Sequence, residues 1–188
     1  MTKRAIISVD IQNDYFPNGK WPLVGIEAAA ANAARVIEAA REAGDLVVHI
    51  RHEFVQADAP FFVAGSEGAK IHPVAASHAN EPVILKNYVN SFRETDLKKV
   101  LDENGITDVI IIGNMSHMCV DGATRAASDL GYRVTVIHDA CATLDLEFNG
   151  VRVPAAQVHA AFMAALGFAY AAVVSTHTYT QGTAATAA

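Results

Sequence analysis

Along this chain, short and nearly unbroken apolar runs alternate with longer stretches in which apolar residues recur with helical spacing. Ala5-Ile6-Ile7-Ser8-Val9 is the first such run and ends at Asp10. Similar runs occupy 46–50, 83–85, 109–112, 134–137 and 172–174. Runs this short and this continuous predict strands covered on both faces. From Ile26 to Ala43 the residues Ala29, Ala33, Val36, Ile37 and Ala40 share one helical stripe, and Gly44 follows where a left-handed stop belongs. Further helices are predicted from a Thr95 cap to Glu103, from Cys119 to Leu130 before Gly131, and from Pro154 to the neighbourhood of Gly167. Strand and helix in alternation predict an α/β fold of three layers, with a mostly parallel sheet, helices on both faces and right-handed crossovers.

At 188 residues, with 52% apolar and 18% charged residues, the chain suits one compact domain, placed at 1–177. The segment 178–188, rich in Ala, Thr and Gly, has little to bury and is expected to fray as a flexible tail. No apolar run is long enough to span a bilayer, and Met1-Thr2-Lys3-Arg4 leads into a strand rather than a signal-peptide core, so the expected compartment is the cytoplasm. A formal charge of −6 without a basic run argues against nucleic acid and anionic membrane as partners and leaves small molecules. Two cysteines, Cys119 and Cys141, match no spaced metal-ligand set, and each has to be explained singly.

Two connections, 52–80 and 139–153, lack periodicity, and long loops in a compact domain commonly wall a binding site. In a parallel sheet such sites form where strands finish. Asp10 ends the first predicted strand, Lys86 the third, and the fourth runs through Gly113-Asn114-Met115-Ser116-His117-Met118 to Cys119. Singly, each has a plain structural reading: a turn cap, a solvated strand end, a small buried hydrophobe. Together they make a chemical set. A helix N-terminus and an ammonium both favour a thiolate, so Cys119 is expected to be ionised. Asp10 can shuttle the proton of a thiol and later of a water, while Lys86 orients Asp10 and balances its charge. Cys141 is assigned to packing.

Four spaced segments carry a resemblance. They are Val9-Asp10-Ile11-Gln12-Asn13-Asp14-Tyr15-Phe16, Lys86 with Asn90-Ser91-Phe92 and Thr95-Asp96-Leu97, Ile112-Gly113 through Cys119-Val120, and Asp139-Ala140-Cys141-Ala142. In these the chain resembles the isochorismatase-like cysteine hydrolases, among them nicotinamidases and N-carbamoylsarcosine and ureidoacrylate amidohydrolases. The resemblance implies a six-stranded parallel sheet in the order 3-2-1-4-5-6 and a catalytic triad of Asp10, Lys86 and Cys119. It also implies a cis peptide at Asn114–Met115 and an oxyanion hole built from the backbone N–H groups of Met115 and Cys119. The implied reaction is cleavage of a C–N bond in a small amide, ureide or carbamoyl compound through a thioester, with no organic cofactor. Relatives commonly form homodimers or homotetramers, and 148–154 is the segment expected to reach a neighbour.

The nicotinamidase branch holds a metal through an Asp and several His after strand two. This chain reads Arg51-His52-Glu53-Phe54 there, so no catalytic metal is expected, although His52, His72 and His78 share one loop. Isochorismatases that cleave a vinyl ether lack the cysteine, and Cys119 favours acyl chemistry over that alternative. Aromatic walls suited to a small planar ligand are expected from Phe16, Trp21, His52, Phe54, Tyr88, Phe92, His117 and Met118. A nucleotide-binding reading fails because no glycine-rich phosphate loop follows the first strand. A catalytically silent binding protein on the same fold remains open.

Overall fold

The computed structural model describes residues 3–186. Strands β1 (Arg4–Val9), β2 (Leu46–His52), β3 (Val83–Lys86), β4 (Asp108–Asn114), β5 (Arg133–Ala142) and, late in the chain, β8 (Ala172–Val174) form one six-stranded sheet in the order β3-β2-β1-β4-β5-β8. Every neighbouring pair is parallel. The six strands and their order are those expected, with β8 as the sixth strand.

Side-chain alternation divides the core between two faces. Ile6, Val47, Ile110, Ile112 and Ile137 pack with the stripe of helix α1 (Ile26–Ala43), including Ala33, Val36 and Ile37. Ile7, Val48, Val109, Ile111 and Val136 point the other way, against helices α2 (Leu97–Glu103), α3 (Asp121–Asp129) and α4 (Ala155–Ala169). Doubly covered strands account for the continuous apolar runs. Gly44 closes α1 in the left-handed conformation, at φ 72°.

Three expectations need correction. The predicted helix from Cys119 does not begin as an α-helix, because Ser116–Val120 forms a π turn that leads into α3. Strand five does not stop at Ile137. It runs on to Ala142, pairing Cys141 with Gly113 and Ala142 with Asn114 after a register shift, so 139–142 is sheet and not loop. Past β5 the chain folds into a hairpin of β6 (Leu146–Phe148) and β7 (Val151–Val153), turned by Asn149-Gly150 with both residues at positive φ, the conformation an Asn-Gly pair favours. Its Phe148 and Val151 are exposed. The segment expected to fray from Thr178 instead belongs to helix α5 (Thr176–Thr186), with Tyr179 packed against the α1 side of the core. Residues 187–188 of that segment lie outside the described residues. No helix is long and apolar enough to cross a membrane among the described residues.

Candidate active site

The sheet delivers four polar side chains to one point. Asp10 follows β1 at φ 50° and its N–H donates to Ile50 O at 3.0 Å, tying the strand end to β2. Lys86 closes β3 in register with His52, the last residue of β2. Asp10 and Lys86 belong to strands separated by β2, and only a long side chain bridges that gap of about 10 Å. Lys86 Nζ reaches 2.8 Å from Asp10 Oδ2, 2.7 Å from His52 Nδ1 and 3.2 Å from Cys119 Sγ. All four residues are buried.

Cys119 arrives from the other direction. Gly113, at φ 112°, lies so close to β1 that a Cβ there would stand 1.9 Å from Val9 O, and glycine lets β4 run directly beside the end of β1. The next peptide bond, Asn114–Met115, is cis. The Asn114 side chain joins two strand ends, with Nδ2 donating to Asp10 O at 3.4 Å and Oδ1 accepting from Ala142 N at 3.1 Å. The π turn then carries Cys119 onto Lys86 and Asp10.

The expectation of a resting thiolate is corrected here. Burial pushes the Cys119 thiol well above its usual range, the Asp10 carboxylate pushes it the same way, and the Lys86 ammonium opposes both. The thiol therefore keeps its proton. Burial alone would lower Lys86, but Asp10 and Cys119 hold it above its ordinary value. His52 is driven down to about 4 by burial and then by Lys86, and its ring is neutral.

A cavity of about 260 Å³ opens at the sulfur, and its lining is mostly aromatic or aliphatic. His52, Phe54, Tyr88 and Met118 line it. The other four proposed wall residues are elsewhere. Phe16 stacks on His72 at 3.6 Å, beside a larger groove of about 620 Å³ that touches none of the four clustered residues. Trp21 stacks behind Phe61 at 4.9 Å. Phe92 packs into the core near Tyr132, and His117 turns its Nδ1 to Thr143 Oγ1 at 2.6 Å. Their strands end at the right edge, but the loops turn these side chains inward or sideways.

Sequence reasoning passed over the residues that fix the wall. Gln12 Nε2 donates to His52 O and Ala69 O, both at 2.8 Å, and its Oε1 accepts from His52 N at 2.7 Å. Asp14 Oδ2 accepts from Phe62 N at 2.7 Å and holds the Phe61-Phe62 pair against Tyr15. Tyr15, Phe61 and Phe62 all line the cavity. The adjacent aromatic pair Phe61-Phe62, inside a loop without strand or helix periodicity, was the available signal.

Among the described residues, the donor set close enough to share a metal ion is Asp10, His52 and Cys119, with ligand atoms within 4.8 Å of one another. All three contact the Lys86 ammonium, which already fills the cation position between them. A resident metal does not fit without expelling that side chain. His72 accepts from Val74 N at 3.2 Å, and the exposed His78 joins no such donor set.

This architecture has known counterparts. The isochorismatase domain family model matches residues 4–178. An uncharacterized isochorismatase family protein of Bacillus subtilis, YddQ, is 44% identical over 93% of this chain and 97% of its own length. A streptothricin hydrolase of Streptomyces noursei is 32% identical over 76% of this chain and 51% of its own. The crystal structure of an isochorismatase-family protein from Oleispira antarctica superposes with a TM-score of 0.93 at 57% identity, covering 96% of this chain and 97% of that one. The chain belongs to the isochorismatase-like hydrolase family.

Proposed function

We propose that the protein is a cysteine hydrolase that cleaves the C–N bond of a small amide, ureide or carbamoyl compound, with Asp10, Lys86 and Cys119 as its catalytic triad. The observation that carries this reading is the convergence of a carboxylate and an ammonium on a thiol that lines an aromatic cavity. The family supplies the hydrolase chemistry, and the names of two more distant relatives, maleamate amidohydrolase and nicotinamidase, support amide chemistry.

The protonated thiol sets the order of events. As Cys119 Sγ attacks the substrate carbonyl carbon, the S–H proton passes to Asp10, so the sulfur gains negative character only while the C–S bond forms. The N–H groups of Met115 and Cys119 are proposed to receive the developing oxyanion. Asp10 returns the proton to the leaving nitrogen, the C–N bond breaks, and an amine and a thioester remain. Water then attacks the thioester while Asp10 takes its proton. Collapse releases the acid and returns that proton to sulfur. Lys86 keeps Asp10 ionised at the start of each half-reaction and holds it toward the thiol. The cavity admits a small, flat acyl group and little more.

A screen of primary amides, ureides and carbamoyl compounds by ammonia release, run beside Cys119→Ala, tests the reading. Ammonia release that disappears with the sulfur, and an acyl group trapped by hydroxylamine, are the expected results. Turnover that survives Cys119→Ala would transfer the chemistry elsewhere, as a vinyl-ether hydrolase mechanism would require. No turnover across the panel would favour a silent binding protein.

A further inference from the structure

His52 has no part in the proton transfers above, yet it is held more tightly than a wall residue requires. Gln12 binds both its backbone N–H and its C=O, and its ring Nδ1 stands 2.7 Å from Lys86 Nζ. An ammonium can only donate, so Nδ1 accepts. In a neutral imidazole the single ring proton then sits on Nε2. That nitrogen is buried and has no hydrogen-bond partner among the described residues, in a ring set against Phe54 at 4.5 Å and Phe62 at 6.2 Å in the cavity wall. A buried donor without an acceptor is unfavourable, and a ligand that brings one recovers the loss.

We infer that His52 Nε2–H is the specificity-determining donor of this cavity, its tautomer fixed by Lys86, and that the substrate carries a second hydrogen-bond acceptor besides the scissile carbonyl. A carbonyl oxygen, a carboxylate oxygen or an aromatic ring nitrogen meets this description. The inference deepens the hydrolase reading by naming a feature of its substrate, but it concerns binding and can be tested without turnover.

Two measurements decide it. Long-range nitrogen–proton NMR on protein labelled with 15N-histidine reads the protonated ring atom, with His52 assigned by its loss in His52→Asn. A neutral ring carrying its proton on Nε2 is expected at neutral pH. A proton on Nδ1, or on both nitrogens, overturns the inference. The second measurement titrates Cys119→Ala protein with the three pyridinecarboxamide isomers and with benzamide, which has C–H in place of the ring nitrogen. At least one isomer is expected to bind about tenfold tighter than benzamide and to shift the Nε2 resonance. Adding His52→Asn, whose Oδ1 can still accept from Lys86, should abolish that advantage, so that the isomer binds no better than benzamide does to the same variant. Equal affinity for all four compounds, or an advantage that survives His52→Asn, overturns it. If His52→Asn fails to fold, the ligand-induced shift in the His52 protein still decides. Failure of the hydrolase reading looks different, as ammonia release indifferent to Cys119, and leaves both results standing.

Discussion

Cys119 and Cys141 lie in the same half of the core, on chain segments that meet at the end of β4. Both are buried, and burial pushes both thiols up, Cys141 to about 12. Beyond that they share nothing. Cys141 sits inside β5 opposite Gly113, its Sγ donating to Ile137 O at 3.4 Å, and it does not line the cavity beside Cys119. Cys119 faces a carboxylate, an ammonium and that cavity. Withdrawal from water therefore does not distinguish the proposed nucleophile from a packing residue. A proton acceptor and a path for substrate do.

The comparison breaks most visibly under alanine substitution. Cys119→Ala should lower kcat/KM by about a thousandfold or more, the loss expected of the proposed covalent nucleophile, whereas Cys141→Ala should stay within about threefold. Steady-state ammonia release on both variants checks this. Comparable losses at the two positions would remove the distinction. Lys86→Met comes next. It strands the Asp10 carboxylate without its buried partner, at a cost of about 3–5 kcal/mol in stability, together with a loss of about a hundredfold in kcat/KM. Urea unfolding and kinetics on the same preparation separate the two effects.

Alkylation by iodoacetamide sharpens the electrostatic half of the contrast. Only the thiolate reacts, so labelling of Cys119 should be slow at neutral pH and still climb above the ordinary thiol value of about 8.5. Asp10 raises this thiol and Lys86 lowers it, so the two substitutions have opposite signs. Asp10→Asn should label faster than wild type by up to about tenfold while losing turnover, and Lys86→Met should label more slowly. Mass spectrometry of the two cysteine peptides over a pH series gives both rates. Cys141 should remain unlabelled in folded protein throughout.

Strand count and the placement of Asp10, Lys86 and Cys119 at or beyond strand ends were legible because doubly buried strands write themselves as continuous apolar runs, whereas the sheet order was implied only by the family resemblance. The end of β5 was not. Asp139-Ala140-Cys141-Ala142 continues a strand only because Gly113 and Asn114 offer it a neighbour after the register shift, a long-range fact absent from local pattern. The β6–β7 hairpin was not anticipated within the aperiodic 139–153 connection: Asn149-Gly150 is the pair its turn favours, but three-residue strands carry almost no periodicity. At the site, the identity of the polar residues could be read and their ionisation could not. A thiol in water near an ammonium and a thiol sealed beside a carboxylate have the same sequence, and burial reverses the sign. Wall residues were half legible. Phe54 and Tyr88 face the cavity, while Phe16 and Phe92, equally close to strand ends, turn toward His72 and the core.

The smallest expected effect belongs to Cys141. Removing its sulfur leaves a small void beside β4 and should cost about 1–2 kcal/mol near neutral pH. That difference should not be constant with pH. In the unfolded chain the thiol releases its proton near its ordinary value of about 8.5, while in the native protein it keeps that proton until about 12. A raised thiol thus contributes its full stability below the unfolded value and loses it as pH rises toward the folded one, by up to about 1.4 kcal/mol per pH unit. Cys141→Ala has no such proton to hold, so its unfolding free energy should fall less steeply than that of wild type above the unfolded value. Urea unfolding at pH 7 and pH 9.5 should therefore show the two proteins drawing together at the higher pH. A gap that stays parallel would mean that Cys141 is no more protected than a thiol in the unfolded chain, and burial would not be what raises its partner across the strand ends either.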